Sequence, residues 1–153
     1  MNFQKNSLIF RGITEDDIDE LHSLLESLSE YAKKVFHPHP FDLETLKNNC
    51  KSKNDHYFVM TLDNKIIGYA MLRLFGYEIP SFGCCIRTEF QGKGYGLLLT
   101  KWTVEKAKKL NYKKVILKTY KDNIPAMKIY KEAGFTIIGE TEDKKQYKME
   151  INL

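Results

Sequence analysis

Gln91-Gly92-Lys93-Gly94-Tyr95-Gly96 places three glycines at alternate positions and carries the clearest chemical meaning in this chain. Backbone this rich in glycine can curl closely around a ligand and turn its N–H groups inward. A helix starting there adds the partial positive charge of its N-terminus. The chemistry indicated is anion binding, with a phosphate chain as the anion; the plain alternative is a tight strand-to-helix connection. Two phosphate-binding patterns do not fit. A P-loop needs Lys and then Ser or Thr after its last glycine, whereas Tyr95 and Leu97 follow Gly94 and Gly96. The dinucleotide pattern G-x-G-x-x-G needs its third glycine one residue beyond Gly96. Upstream, Cys84 and Cys85 are neighbours, so a strand would send them to opposite faces, poorly placed to pair or share a metal. With no CxxC or HxxxH spacing in the chain, no metal site is expected.

The turn must be positioned by the elements around it. Ser81 to Phe90 is apolar enough for a buried strand running into it, and Leu97 to Leu110 has the spacing of an amphipathic helix ending at Asn111. Upstream, Ser7 to Phe10 is expected as a strand. A capping box at Thr14 and Asp17 then starts a helix with the stripe Ile18, Leu21, Leu25 and Leu28, running to about Lys34. His37-Pro38-His39-Pro40 breaks it, and Asp42 caps a second helix through Cys50. His56 to Leu62 and Lys65 to Phe75 flank the turn Asp63-Asn64 as a hairpin, followed by an irregular stretch from Gly76 to Pro80. Val115 to Thr119 is a strand, Asn123 to Ala133 a helix closed by Gly134, and Phe135 to Gly139 and Gln146 to Ile151 are the last two strands. The expected class is mixed α/β (α+β), with a mostly antiparallel sheet of about seven strands and about four helices, as one domain over residues 1–153. At 42% hydrophobic, 29% charged and a net charge of +4, the composition is that of a soluble globular protein. The lysines between Lys101 and Lys121 are interspersed with apolar residues, a solvated surface rather than a nucleic-acid site. No N-terminal apolar segment and no apolar run of ~18 residues occur, so the expectation is a cytoplasmic chain with reduced thiols and no membrane partner.

Gln91-x-x-Gly94-x-Gly96 resembles the R/Q-x-x-G-x-G/A motif of the GNAT (Gcn5-related N-acetyltransferase) superfamily. Asn123-Ile124-Pro125-Ala126 through Tyr130 to Gly134-Phe135 resembles its N-x-x-A-x-x-x-Y-x-x-x-G-F signature. The resemblance implies acetyl-CoA as co-substrate, its pyrophosphate on the amides of Gly92, Lys93, Gly94, Tyr95, Gly96 and Leu97, with the side chains of Gln91 and Lys93 as optional additions. Cys84, Cys85 and Ile86 match the strand that hydrogen-bonds pantetheine and polarises the thioester carbonyl. Asn123 matches the residue that hydrogen-bonds the CoA arm, and Tyr130 the acid that protonates the leaving thiolate. The implied reaction is acetyl transfer to a primary amine by direct attack in a ternary complex.

An alkylamine is protonated at neutral pH, so the reaction needs a route for its proton. Glu78 is the leading carboxylate candidate, His37 and His39 are the imidazole candidates, and a water chain could serve without any of them. The resemblance also implies an acceptor pocket built by the first two helices, their connection and the hairpin. That connection, Phe36-His37-Pro38-His39-Pro40-Phe41, combines aromatic faces with imidazoles. His37, His39 and Phe41, with Arg73 and Ser81, are expected to bind substrate, and an amino sugar or nucleotide-linked amino sugar is the favoured acceptor. A peptide or protein amine is the alternative acceptor, and a non-catalytic acyl-CoA-binding module the alternative function. A homodimer is compatible with this reading.

Overall fold

A computed structural model describes residues 7–153. The described residues form strands β1 (Leu8–Gly12), β2 (His56–Leu62), β3 (Lys65–Arg73), β4 (Ser81–Ile86), β5 (Lys114–Tyr120), β6 (Thr136–Glu140) and β7 (Gln146–Asn152). Five α-helices accompany them: α1 (Ile18–Glu26), α2 (Glu30–Val35), α3 (Leu43–Cys50), α4 (Tyr95–Lys109) and α5 (Ile124–Ala133). The strands make one sheet in the order β1-β2-β3-β4-β5-β7-β6, antiparallel throughout except for β4 beside β5. The hairpin turn is as expected, with Asp63 and Asn64 both at positive φ (49° and 68°), the backbone that a two-residue hairpin loop requires.

Each face of the sheet carries its own core. On one, Phe58, Met60, Leu72, Phe82 and Ile86 meet Leu99 of α4 and Met127 of α5. On the other, Tyr57, Val59, Tyr69, Met71 and Cys85 meet Leu21, Leu24 and Leu25 of α1 and Leu46 of α3. Each of those leucines is fully buried, and burying one contributes roughly 1.5–3 kcal/mol. Arg11 ties β1 to the start of α1 with two bonds to the Asp17 carboxylate, at 2.7 and 2.8 Å. The expected capping box is present, the Asp17 carboxylate accepting from the Thr14 N–H at 2.8 Å.

Three expected elements are shorter than the sequence suggested, among them the return strand of the hairpin, which ends at Arg73 rather than Phe75. The first helix divides into α1 and α2 because Ser29 caps a new start, its hydroxyl accepting from the Ala32 N–H at 3.0 Å; hence five helices rather than four. The strand leading to the glycine turn ends at Ile86, not Phe90. Buried Arg87 folds back on β3, its N–H donating to the Ile67 carbonyl (2.7 Å) and its Nε to the Ile66 carbonyl (3.0 Å). Thr88–Phe90 then form a 3-10 turn.

Candidate active site

The site begins where two parallel strands part. β4 and β5 share a single register pair, Ser81 with Ile116, beside a bond from the Ile116 N–H to the Pro80 carbonyl at 3.0 Å. From Gly83 onward β4 is paired only with β3, and β5 only with β7. Main-chain groups of Gly83 to Ile86 that point toward β5 therefore have no strand partner there, and polar backbone in such a position needs one from elsewhere. An extended ligand bearing amides is the complement of such an edge.

The glycine turn lies at the wide end of this wedge. Gly94 is the N-cap of α4 at φ 91°, and Gly92 has φ 74°. A side chain at either would meet nothing within 4 Å, so backbone conformation, not crowding, requires glycine there. The first intrahelical bond runs from the Leu98 N–H to the Gly94 carbonyl at 3.2 Å. The amides of Tyr95, Gly96 and Leu97 thus lie ahead of the helical ladder, and the first turn of α4 carries no acidic residue to compete for them. Gly96 serves a different purpose: a Cβ there would stand 3.1 Å from the Ile129 Cδ1, so this glycine lets α4 lie close to α5. The Gln91 side chain is occupied, its Nε2 donating to the Ile86 carbonyl at 2.9 Å and bracing the turn against the end of β4. Lys93 and Lys65 each hold an ammonium 5.7 Å from the Phe90 ring beside the turn. Open positive-φ glycines, unspent amides and flanking ammonium groups fit a pyrophosphate followed by an amide-bearing arm.

Inside the wedge, strand alternation sorts the side chains. Phe82, Cys84 and Ile86 face α4 and α5, with the Cys84 sulfur 4.0 Å from the Thr100 hydroxyl. Tyr130 of α5 joins them, its ring packed edge-on against Phe82 and Phe135 at 6.1 Å from each. Burial drives the Tyr130 phenol well above its usual pKa, and the neighbouring Cys84 sulfur adds to the effect. Burial also pushes the Cys84 thiol up to about 11 and the Cys85 thiol well above its usual value. Both cysteines are thus held protonated, unlike reactive thiols, and what they offer the wedge is backbone. Asn123 caps α5, its Oδ1 accepting from the Ala126 N–H at 3.4 Å.

On the opposite face the connection between α2 and α3 covers the wedge, with Phe36 3.7 Å from where a Gly83 Cβ would be. Several residues expected to bind substrate are engaged within the fold. The Nδ1 of His39 bonds the Pro40 carbonyl at 2.6 Å, and its Nε2 meets the Tyr69 hydroxyl at 2.9 Å. A carbonyl only accepts, so Nδ1 carries the proton and Nε2 accepts from Tyr69. Burial lowers the His39 pKa, outweighing the Pro40 carbonyl, and Arg73 lowers it further. Phe41 stacks on Phe36 at 6.1 Å, and its carbonyl accepts from the His22 Nδ1 at 2.8 Å. Arg73 donates to the Pro38 carbonyl and lies over the Phe75 ring at 4.6 Å. Ser81 sits at the closed end of the wedge, paired with Arg73 and Ile116. Glu78 is exposed on the loop between β3 and β4 and makes no hydrogen bond or ion pair among the described residues. His37 alone of the predicted group reaches across the wedge, its Nε2 3.2 Å from the Tyr120 hydroxyl at the end of β5. Sequence reasoning missed Tyr120, whose only signal was its place at the end of a short strand.

No helix among the described residues is long and apolar enough to cross a membrane. The profile of the Acetyltransferase (GNAT) family matches residues 21–135. An uncharacterized N-acetyltransferase of Schizosaccharomyces pombe is 36% identical over 126 residues, covering 78% of this chain and 76% of the relative. The L-amino acid N-acetyltransferase AaaT of Escherichia coli is 22% identical over 139 residues, covering 88% and 86%. Among solved structures, the spermidine N-acetyltransferase of Vibrio cholerae in complex with CoA and spermine superposes with a TM-score of 0.80 at 24% identity, over 95% of each chain.

Proposed function

The chain belongs to the Acetyltransferase (GNAT) family and is an acyl-CoA-dependent N-acetyltransferase; from that premise we propose that it transfers acetyl from acetyl-CoA to the primary amine of a small molecule, both substrates being bound together. The observation that carries the reading is the wedge between β4 and β5, joined at one residue pair and opening onto the glycine turn. On this reading the amides of Gly92 to Leu97 hold the pyrophosphate at the start of α4. Gly83 to Ile86 hydrogen-bond the pantetheine arm and polarise the carbonyl, and Asn123 fixes the start of α5 beside that arm. Acetyl-CoA supplies an activated acyl group and a thiol leaving group. Tyr130, whose burial keeps the proton on its phenol, donates it to the departing sulfur.

On the acceptor side, amino sugars and nucleotide-linked amino sugars stand first on the aromatic and imidazole content of residues 36–41. The engagement of His39, Phe41 and Arg73 within the fold leaves fewer of those groups to meet a sugar. L-amino acids enter because AaaT, which aligns along most of the chain, is named for them. The test is a thiol-release screen with acetyl-CoA against amino sugars, nucleotide-linked amino sugars, L-amino acids, polyamines and peptides. The expected result is release that depends on a small amine. Release with peptides alone would overturn the small-molecule acceptor. Binding of acetyl-CoA without consumption by any amine would point to a non-catalytic acyl-CoA-binding module.

A further inference from the structure

Acyl transfer from a thioester to an amine needs two proton routes, one to the sulfur and one away from the nitrogen. Nitrogen and sulfur are separate substituents of the reacting carbon in the tetrahedral adduct, so a different group can serve each. The wedge is built with two sides. Cys84 and Tyr130 lie on the face toward α4 and α5. On β5, Val115 and Leu117 belong to that same face, so Lys118 and Tyr120 fall on the other by alternation. There His37 meets Tyr120 at 3.2 Å from 83 residues away, with the rings edge-on at 6.4 Å. Their contact spans the mouth of the wedge opposite the Tyr130 face.

Resting on the acetyl-transfer reading above, we infer that His37 and Tyr120 act as the pair that deprotonates the acceptor amine. His37 is free for the task where its neighbour is not. Both ring nitrogens of His39 are engaged, whereas His37 is exposed and its Nδ1 has no protein partner among the described residues. The loop that carries His37 is pinned by the Arg73 bond to the Pro38 carbonyl, so the imidazole is held at the mouth without being buried. An imidazole can also accept a proton at one ring nitrogen and release one from the other.

The balance is as follows. The acceptor ammonium gives a proton to the Tyr120 oxygen while the Tyr120 hydroxyl proton passes to the His37 Nε2, and His37 releases a proton to solvent from its exposed side. The freed nitrogen bonds to the acetyl carbon, the carbon–sulfur bond breaks with its electron pair on sulfur, and Tyr130 protonates that sulfur. Proton exchange with solvent returns His37 to the tautomer protonated on Nδ1, the second nitrogen proton then leaves by the same Tyr120–His37 route, and Tyr130 regains its proton from solvent. Ammonium and thioester become amide, thiol and one released proton.

The experiment compares wild type, His37→Ala, His37→Gln and Tyr120→Phe, with the best amine from the screen. Acetyl-CoA affinity is measured separately by calorimetry. Expected are an unchanged CoA affinity, a kcat loss of ~10²-fold or more in both His37 variants, a comparable loss in Tyr120→Phe, whose hydroxyl links the amine to His37, and recovery of His37→Ala, but not of Tyr120→Phe, on adding free imidazole. His37 variants within twofold of wild type would overturn the inference while leaving the transfer reading intact. So would a loss that appears only in amine KM and is not rescued by imidazole, since that marks substrate contact. A wild type that binds acetyl-CoA and acetylates nothing would overturn the transfer reading, and this inference with it.

Discussion

Replacing Gly94 with alanine separates the phosphate cradle from a merely tight connection. At φ 91° an added Cβ meets no neighbour, so the whole penalty is backbone strain, about 1–2 kcal/mol for a side chain in left-handed backbone. That strain must be felt in one of two measurements. If the turn keeps its shape, folding stability falls by that amount, a Tm loss of about 2–8 °C for a chain of this size. If the turn relaxes to a negative φ, stability is restored but the amides of Tyr95 to Leu97 lose their convergence. The strain then reappears as binding energy that CoA must supply, a Kd raised about five- to thirty-fold. Thermal unfolding and calorimetric titration with CoA read the two shares. Gly96→Ala is the control. Its Cβ would press only on the Ile129 Cδ1, the mobile end of a side chain, at 3.1 Å, and helix propensity gains up to ~1 kcal/mol in return. It is expected to change neither reading much. A Gly94→Ala protein with wild-type Tm and wild-type CoA affinity would refute the reasoning.

Tyr130→Phe keeps the ring packed on Phe82 and Phe135 and removes only the hydroxyl. Turnover is expected to fall ~10²- to 10⁴-fold with CoA affinity within about twofold, and full thiol-release activity would remove Tyr130 from the acid's role. His39 gives stability a pH dependence. Its pKa is lowered in the folded protein, chiefly by burial, so on acidification from its unfolded value of ~6.5 the unfolded chain binds more protons. The stability present above ~6.5 is lost as the pH falls toward the folded value, and His56, also lowered chiefly by burial, acts in the same window. Denaturant unfolding between roughly pH 7 and pH 5 should show a shallower fall for His39→Gln than for wild type, and an identical slope would contradict the assignment.

What was legible in the sequence was what neighbouring residues decide among themselves. The apolar runs of β2 and β3, the Asp63-Asn64 turn, the Thr14–Asp17 cap and the glycine turn all depend on residues within a few positions of one another. The missed helix break is of the same short range, but the stripe of Ile18, Leu21, Leu25 and Leu28 runs across Ser27 to Ser29 and masked it. Long-range pairings were not legible. The Arg73 bond to the Pro38 carbonyl links positions 35 apart, and the His39 bond to Tyr69 links positions 30 apart. Residue type alone made both side chains look available to a substrate, and only the β2–β3–β4 register shows that they brace the loop. Tyr120 was hidden for a related reason. Its significance lies in the face it occupies and in the parting of β5 from β4, both properties of strand pairing.

That bracing bears on how an acceptor is chosen. Lifting the connection between α2 and α3 away from the wedge would break four hydrogen bonds, Arg73–Pro38, His39–Tyr69, His22–Phe41 and His37–Tyr120. At a net 0.5–1.5 kcal/mol each, these sum to about 2–6 kcal/mol, which leaves the open form at roughly one molecule in thirty to fewer than one in ten thousand. An acceptor that required opening would see its affinity reduced by that fraction. The lower-cost route is to dock against the closed loop and offer its amine to His37 and Tyr120. Selectivity on that route comes from side chains fixed at the mouth. The same internal contacts that engage His39 and Arg73 within the fold therefore preorganise the loop that carries His37.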